Sequence, residues 1–88
     1  MKLVATHPYI QVIRKIEWNE QKYIETHHLI RLFDDRIITS NDEFLLEQVL
    51  DMSYRTNFLY LHTNRGLFSY NVKKNPNYFI RLFKNLKQ

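Results

Sequence analysis

Cysteine is absent from this 88-residue sequence, and glycine and proline are scarce, at one and two residues. Without cysteine there is no disulfide, no thiolate metal site and no cysteine nucleophile. A reducing, cytoplasmic setting suits such a chain. A single glycine cannot furnish a nucleophile elbow, a P-loop or a dinucleotide fingerprint, each of which needs several. Turns must then be built mostly from Asn, Asp and Ser, whose short side chains bond their own backbone. No stretch approaches the ~18–20 consecutive apolar residues of a membrane span. Residues 1–8 are too few and too polar for a secretory signal. Internal repeats and low-complexity linkers are missing as well.

The acidic residues stop at position 51. Residues 1–54 hold six basic and nine acidic residues, a balance of −3, whereas residues 55–88 hold seven basic and none acidic, a balance of +7. The apolar supply is 44% of the chain, with six Tyr, six Phe and one Trp. That is enough for one hydrophobic core, so a single domain spanning residues 1–88 is expected.

Alternation of apolar and polar residues predicts strands over about 9–73. In the first, 9–17, Ile10, Val12 and Ile16 share one parity, the pattern of a half-buried strand. Residues 19–22 read as a polar connection. The second strand, 23–33, puts Ile24, Thr26, His28, Ile30 and Leu32 on one face. Asp34-Asp35 is a turn, and Ile37 and Ile38 sit in a short strand that follows. Residues 40–53 allow two readings. Ser40 and Glu43 have the spacing of a helix capping box. Equally, Ser40-Asn41-Asp42 is a turn leading into a strand with Phe44 and Leu46 on one face, and strands on both sides favour this. Around Asn64-Arg65-Gly66 two β-rich runs form a hairpin. A three-residue loop would pair Thr63 with Leu67. A two-residue loop would instead put Leu59 and Leu61 on the face of Tyr70 and Val72. A slip of one residue exchanges the faces, and both registers stay open.

The last element is a helix over about 76–87, with Asn75 as N-cap and Pro76 in its first turn. Phe79, Leu82, Phe83 and Leu86 form one apolar stripe at helical spacing, which must dock on the sheet because a helix this short is marginal alone. The fold class expected is α+β, mostly β: a bent antiparallel sheet or small barrel capped by a C-terminal helix. Asp35-Arg36-Ile37-Ile38, the apolar stretch around Val49-Leu50, the hairpin at Asn64-Arg65-Gly66 and the segment from Asn75-Pro76 to Leu86 together resemble the bacterial pleckstrin-homology-like (PH-like) domains. In that family the helix plugs one end of a bent barrel, a role that suits the Phe79–Leu86 stripe. The basic phosphoinositide loop of the eukaryotic relatives has no counterpart, so no ligand residue carries over.

Catalysis finds little support in these residues, and a non-enzymatic role is expected. His27 and His28 are adjacent, so on a strand they face opposite ways and cannot join one metal site. Asp34-Asp35 and Asp42-Glu43 sit in turns, not across a cleft as paired catalytic carboxylates require. No cofactor is implied. The resemblance implies a binding module that holds a partner protein or peptide. The basic back half offers a polyanion reading instead, with nucleic acid or an anionic membrane surface as ligand. Its candidate contacts are Arg55, Arg65, Lys73, Lys74, Arg81, Lys84 and Lys87. Oligomeric state is not legible.

Overall fold

The alternating residues of the first third of the chain form one long hairpin. The computed structural model describes residues 1–88. In it β1 (Leu3–Glu17) and β2 (Glu20–Phe33) pair antiparallel from Leu3↔Phe33 to Glu17↔Glu20. The first strand thus begins at Leu3, ahead of the expected residue 9. The expected polar connection at 19–22 shrinks to the pair Trp18-Asn19, at φ 50° and 63°. Two left-handed residues make a type I′ turn, whose twist matches that of the flanking strands, so pairing resumes at once with Glu20.

Beyond it lie β3 (Arg36–Ile38), β4 (Glu43–Leu45), β5 (Val49–Arg55), β6 (Phe58–Thr63), β7 (Gly66–Asn71) and α1 (Asn77–Lys87). Residues 40–53 are strand and not α-helix, interrupted by a single 3₁₀ turn at Leu46–Gln48. The Thr39 hydroxyl decides this locally. It accepts the N–H of Asp42 at 3.0 Å and of Asn41 at 3.4 Å, satisfying by a tight turn the donors a helix start would have left free. Phe44 is then buried with Glu43 and Leu45 exposed, as strand alternation requires. The β6–β7 hairpin takes the two-residue loop: Thr63 pairs with Gly66, Leu61 with Phe68 and Leu59 with Tyr70. Gly66 sits at φ +118°, open to glycine and strained for any other residue.

The strands form one antiparallel sheet in the order β4-β3-β2-β1-β7-β6-β5. A flat sheet of that width would hold its edge strands about 29 Å apart at ~4.8 Å per strand. Yet β4 and β5, the two edges, are joined by the three residues Leu46–Gln48. A link that short spans ~14 Å at most, so the sheet must bend until its edges approach. Phe44 of β4 meets Phe68 of β7 edge-on, ring centroids 4.9 Å apart, across the resulting interior. Ile30, Leu32 and Ile37 line one side of that interior, and Val49, Met52, Leu59 and Leu61 the other.

Helix α1 covers the bend by docking on β1 and β5. Phe79 and Phe83 are buried, and Leu82 and Leu86 half-buried, so the stripe read from the sequence is the docked face. The cap is displaced by one residue. Pro76 flanks the helix, and the Asn75 side chain accepts the N–H of Asn77 at 2.9 Å. Each buried phenylalanine contributes about 2–3 kcal/mol from burial, more than the helix gains from any terminal charge.

A protruding arm and the charged groups around it

Residues 12–25 are all exposed, on both faces of the ribbon. This outer half of the β1–β2 hairpin leaves the body as an arm and makes the molecule elongated, 52 × 23 × 22 Å. The half-buried expectation for 9–17 therefore fails beyond Gln11. Val12 is 55% exposed and Ile16 69%, because no other element lies over them. The buried residues of β1 are His7, Tyr9 and Ile10, where the ribbon crosses the body.

Ile13, Tyr23 and Ile24 are also exposed on the arm, and Trp18 at its tip is 95% exposed. Trp18 holds a left-handed conformation that costs a non-glycine residue on the order of 1 kcal/mol. It makes no ring contact in return. A two-stranded ribbon is marginal in water by itself, and apolar groups on both of its faces add a solvation penalty. Sequence reading missed the arm. The available signal was apolar residues on both parities, Ile13 and Ile24 as well as Val12 and Ile16, inside a strongly charged stretch.

The arm is electrically balanced. Arg14, Lys15 and Lys22 are matched in number by Glu17, Glu20 and Glu25. Glu25 forms a 2.6 Å ion pair with Lys73. The hydrogen bond from Lys73 holds the Glu25 carboxyl below its ordinary range.

The seven basic candidates fall in different places. Arg55 and Arg65 lie at opposite ends of the β5–β7 unit, since Arg55 pairs with Phe58 and Arg65 sits in the turn between Thr63 and Gly66. Lys73 and Lys74 share the Arg55 end, where the Val72 N–H donates to the Asn57 carbonyl. Three of the seven have hydrogen-bond or ion-pair partners within the chain. Lys73 has Glu25. Arg65 donates to the Glu43 carbonyl at 2.9 Å, with its guanidinium 4.6 Å from the Phe44 ring centre. Lys87 donates to the Leu46 carbonyl at 2.7 Å. Arg81 lies over the Tyr78 ring, 5.5 Å from its centre, and with Lys84 lies on the exposed side of α1. Arg36 pairs with Asp35 and with Glu43, whose carbonyl Arg65 holds, at 3.0 and 2.6 Å. Its hydrogen bond holds the Asp35 carboxyl low.

One serine–histidine pair stands in an open groove of about 390 Å³ lined by Pro8, His27, His28, Leu29, Arg31 and Ser40. His28 Nδ1 lies 2.7 Å from Ser40 Oγ, and Nε2 lies 2.8 Å from the Thr26 hydroxyl. Acyl transfer also needs amide donors aimed at the developing oxyanion. Here the Ser40 N–H donates to the Tyr9 hydroxyl, and those of Asn41 and Asp42 donate to Thr39. The neutral Thr26 cannot stabilise an imidazolium as a carboxylate would. The histidine ties β2 to the β3–β4 turn. No group of three or more His, Cys, Asp or Glu residues could hold a metal ion.

His7 ties the other side. Its ring packs on Phe79, and Nε2 lies 3.1 Å from the Lys74 carbonyl, a bond for which the ring nitrogen is the donor. Burial, chiefly, pushes its pKa below the ordinary 6.5. The neutral ring is therefore favoured in the folded state, and the unfolded chain takes up the proton more readily. Stability is held above pH 6.5 and is lost as pH falls through the lower, folded value. Thermal melts between pH 8 and 5 should show that decline, and His7→Gln should flatten it. An unchanged slope in the variant would assign the decline to other groups.

No family model, curated protein or solved structure matches the chain. No helix is long and apolar enough to cross a membrane.

Proposed function

We propose that this chain is a non-catalytic binding module of PH-like type that docks a protein through the β1–β2 arm. The observation that carries this reading is the run of exposed residues 12–25, with apolar side chains on both faces and Trp18 at the tip. Exposed aromatic and aliphatic groups rimmed by charge are what protein interfaces bury at their centre. The PH-like assignment is supported by the bent antiparallel sheet and by the Phe79 and Phe83 rings of the capping helix.

Charge favours protein over the polyanion ligands. Glu17 and Glu20 flank Trp18, so the tip would be repelled by phosphodiesters or anionic headgroups. The basic residues of the body are dispersed, and three are already engaged.

The reading is tested with a photoactivatable residue at position 18 and, as control, at Leu50, an exposed body residue (67%). Irradiation in the native host should give a discrete protein adduct from position 18 alone. Ile13→Ser with Ile24→Ser should remove it without lowering the melting temperature, since neither side chain is buried. Equal labelling from both positions, or none from position 18, would count against the arm.

A further inference from the structure

The arm carries its charges in bands. Across the ribbon Lys15 stands directly opposite Lys22, and Glu17 directly opposite Glu20. Residues so paired share a face, and like charges directly opposite one another are unfavourable. The arm therefore has two repulsive pairs in succession. It relieves them by one loose diagonal contact, Lys22 to Glu17 at 3.7 Å, with both side chains about half exposed. The next pair on this face is Ile13↔Ile24, and the band before the glutamates is the Trp18-Asn19 turn. From tip to base the face reads negative, positive, apolar, with the Trp18-Asn19 turn beyond the glutamates.

That order is its own complement. Let a second arm lie face to face and antiparallel, with a two-fold axis between the glutamate and lysine bands. Lys15 and Lys22 then meet Glu17 and Glu20 of the second copy, and the reverse holds by symmetry. The same axis brings the tip turn, which carries Trp18, to the level of Ile13 and Ile24 of the second copy. Each charged band meets its opposite, and both repulsive pairs are relieved.

We infer that the arm's partner is a second copy of this chain, joined in a two-fold dimer through the face that carries Ile13, Lys15 and Glu17. The inference rests on the arm being a docking element. Four bands at ~6.8 Å spacing on a ribbon ~12 Å wide cover on the order of 300–400 Å² per copy, in the class of weak and reversible contacts. Association is then sensitive to salt, because the paired charges stay near solvent.

Sedimentation of the whole chain from ~10 µM to ~1 mM should show a monomer–dimer equilibrium at ~20 mM salt that shifts toward monomer at ~500 mM. Trp18 is the only tryptophan, so its emission should move to the blue as concentration rises. The decisive variants exchange whole bands. Lys15→Glu with Lys22→Glu makes the face acidic, and Glu17→Lys with Glu20→Lys makes it basic. Each should be monomeric alone, and an equimolar mixture should dimerise as hetero-pairs. Fraying of a variant arm would abolish self-association but would not be rescued by mixing. A monomeric wild type at low salt, variants that self-associate like the wild type, or a mixture that stays monomeric each overturn the second-copy inference. A position-18 adduct to a different protein would also overturn it while leaving the docking role of the arm intact. Loss of all position-18 adducts would remove both.

Discussion

Phe83→Asp is expected to leave the domain unfolded at room temperature. Phe83 is 1% exposed and lies beside Phe79 in the single core cluster. Truncating a buried phenylalanine to alanine costs about 3–5 kcal/mol. Aspartate adds the burial of a carboxylate with no cation placed to meet it, several kcal/mol more. A domain of this size has on the order of 5–10 kcal/mol in total. The helix could escape only by undocking, which uncovers Phe79 and the core behind it. Far-ultraviolet circular dichroism should show the loss of cooperative melting. Lys84→Asp, next in sequence but exposed, should melt within a few degrees of the wild type. A normal transition in Phe83→Asp would mean that α1 does not close the core.

Phe44→Ala should cost nearly as much for a different reason. Its ring is fully buried, edge-on to Phe68 and beneath the Arg65 guanidinium. It is the side chain by which edge strand β4 reaches β7, so it holds the bend of the sheet closed. The cavity term of about 3–5 kcal/mol is joined by the loss of an aromatic pair, ~1 kcal/mol. For a chain of this length that is a fall in melting temperature on the order of 20–35 °C. Leu45→Ala, one residue on but facing outward, should change little. If both variants melted alike, the closure would rest elsewhere.

The helix was legible because two independent signals agreed, the i, i+3, i+4, i+7 stripe from Phe79 to Leu86 and the Asn75-Pro76 start. The β6–β7 hairpin was legible in place but not in register. Phe58 and Tyr60 are as apolar as Leu59 and Leu61, so only the tertiary packing chose Leu59 and Leu61 for the face of Phe68 and Tyr70. Residues 40–53 carried a sound capping box that lost to the Thr39 turn and to pairing of β4 with β3. The arm was the largest omission. Alternation of Ile10, Val12 and Ile16 reports which side of a strand is apolar, not whether anything covers it. Trp18 also hid the turn, since tryptophan is not a turn residue and only Asn19 hinted at one. The basic back half was real as composition, yet its meaning depended on partners such as Glu25 that lie far away in sequence.

The position of β1 in the middle of the sheet has a consequence for how the chain acquires its fold. Its inner neighbour, β2, follows at once, but its other neighbour is β7, joined at the bridge Ile10↔Asn71. That bridge closes a loop covering most of the chain. The β1–β2 ribbon has local contacts and forms on the order of microseconds, whereas closure of the sheet through so distant a pairing belongs to the millisecond-to-second range. During synthesis the ribbon emerges ahead of β5–β7 and the helix, and its Ile30 and Leu32 stay uncovered until they have followed. The nascent chain is then at its most adhesive before residue 58 appears, which is when a chaperone would have most to hold.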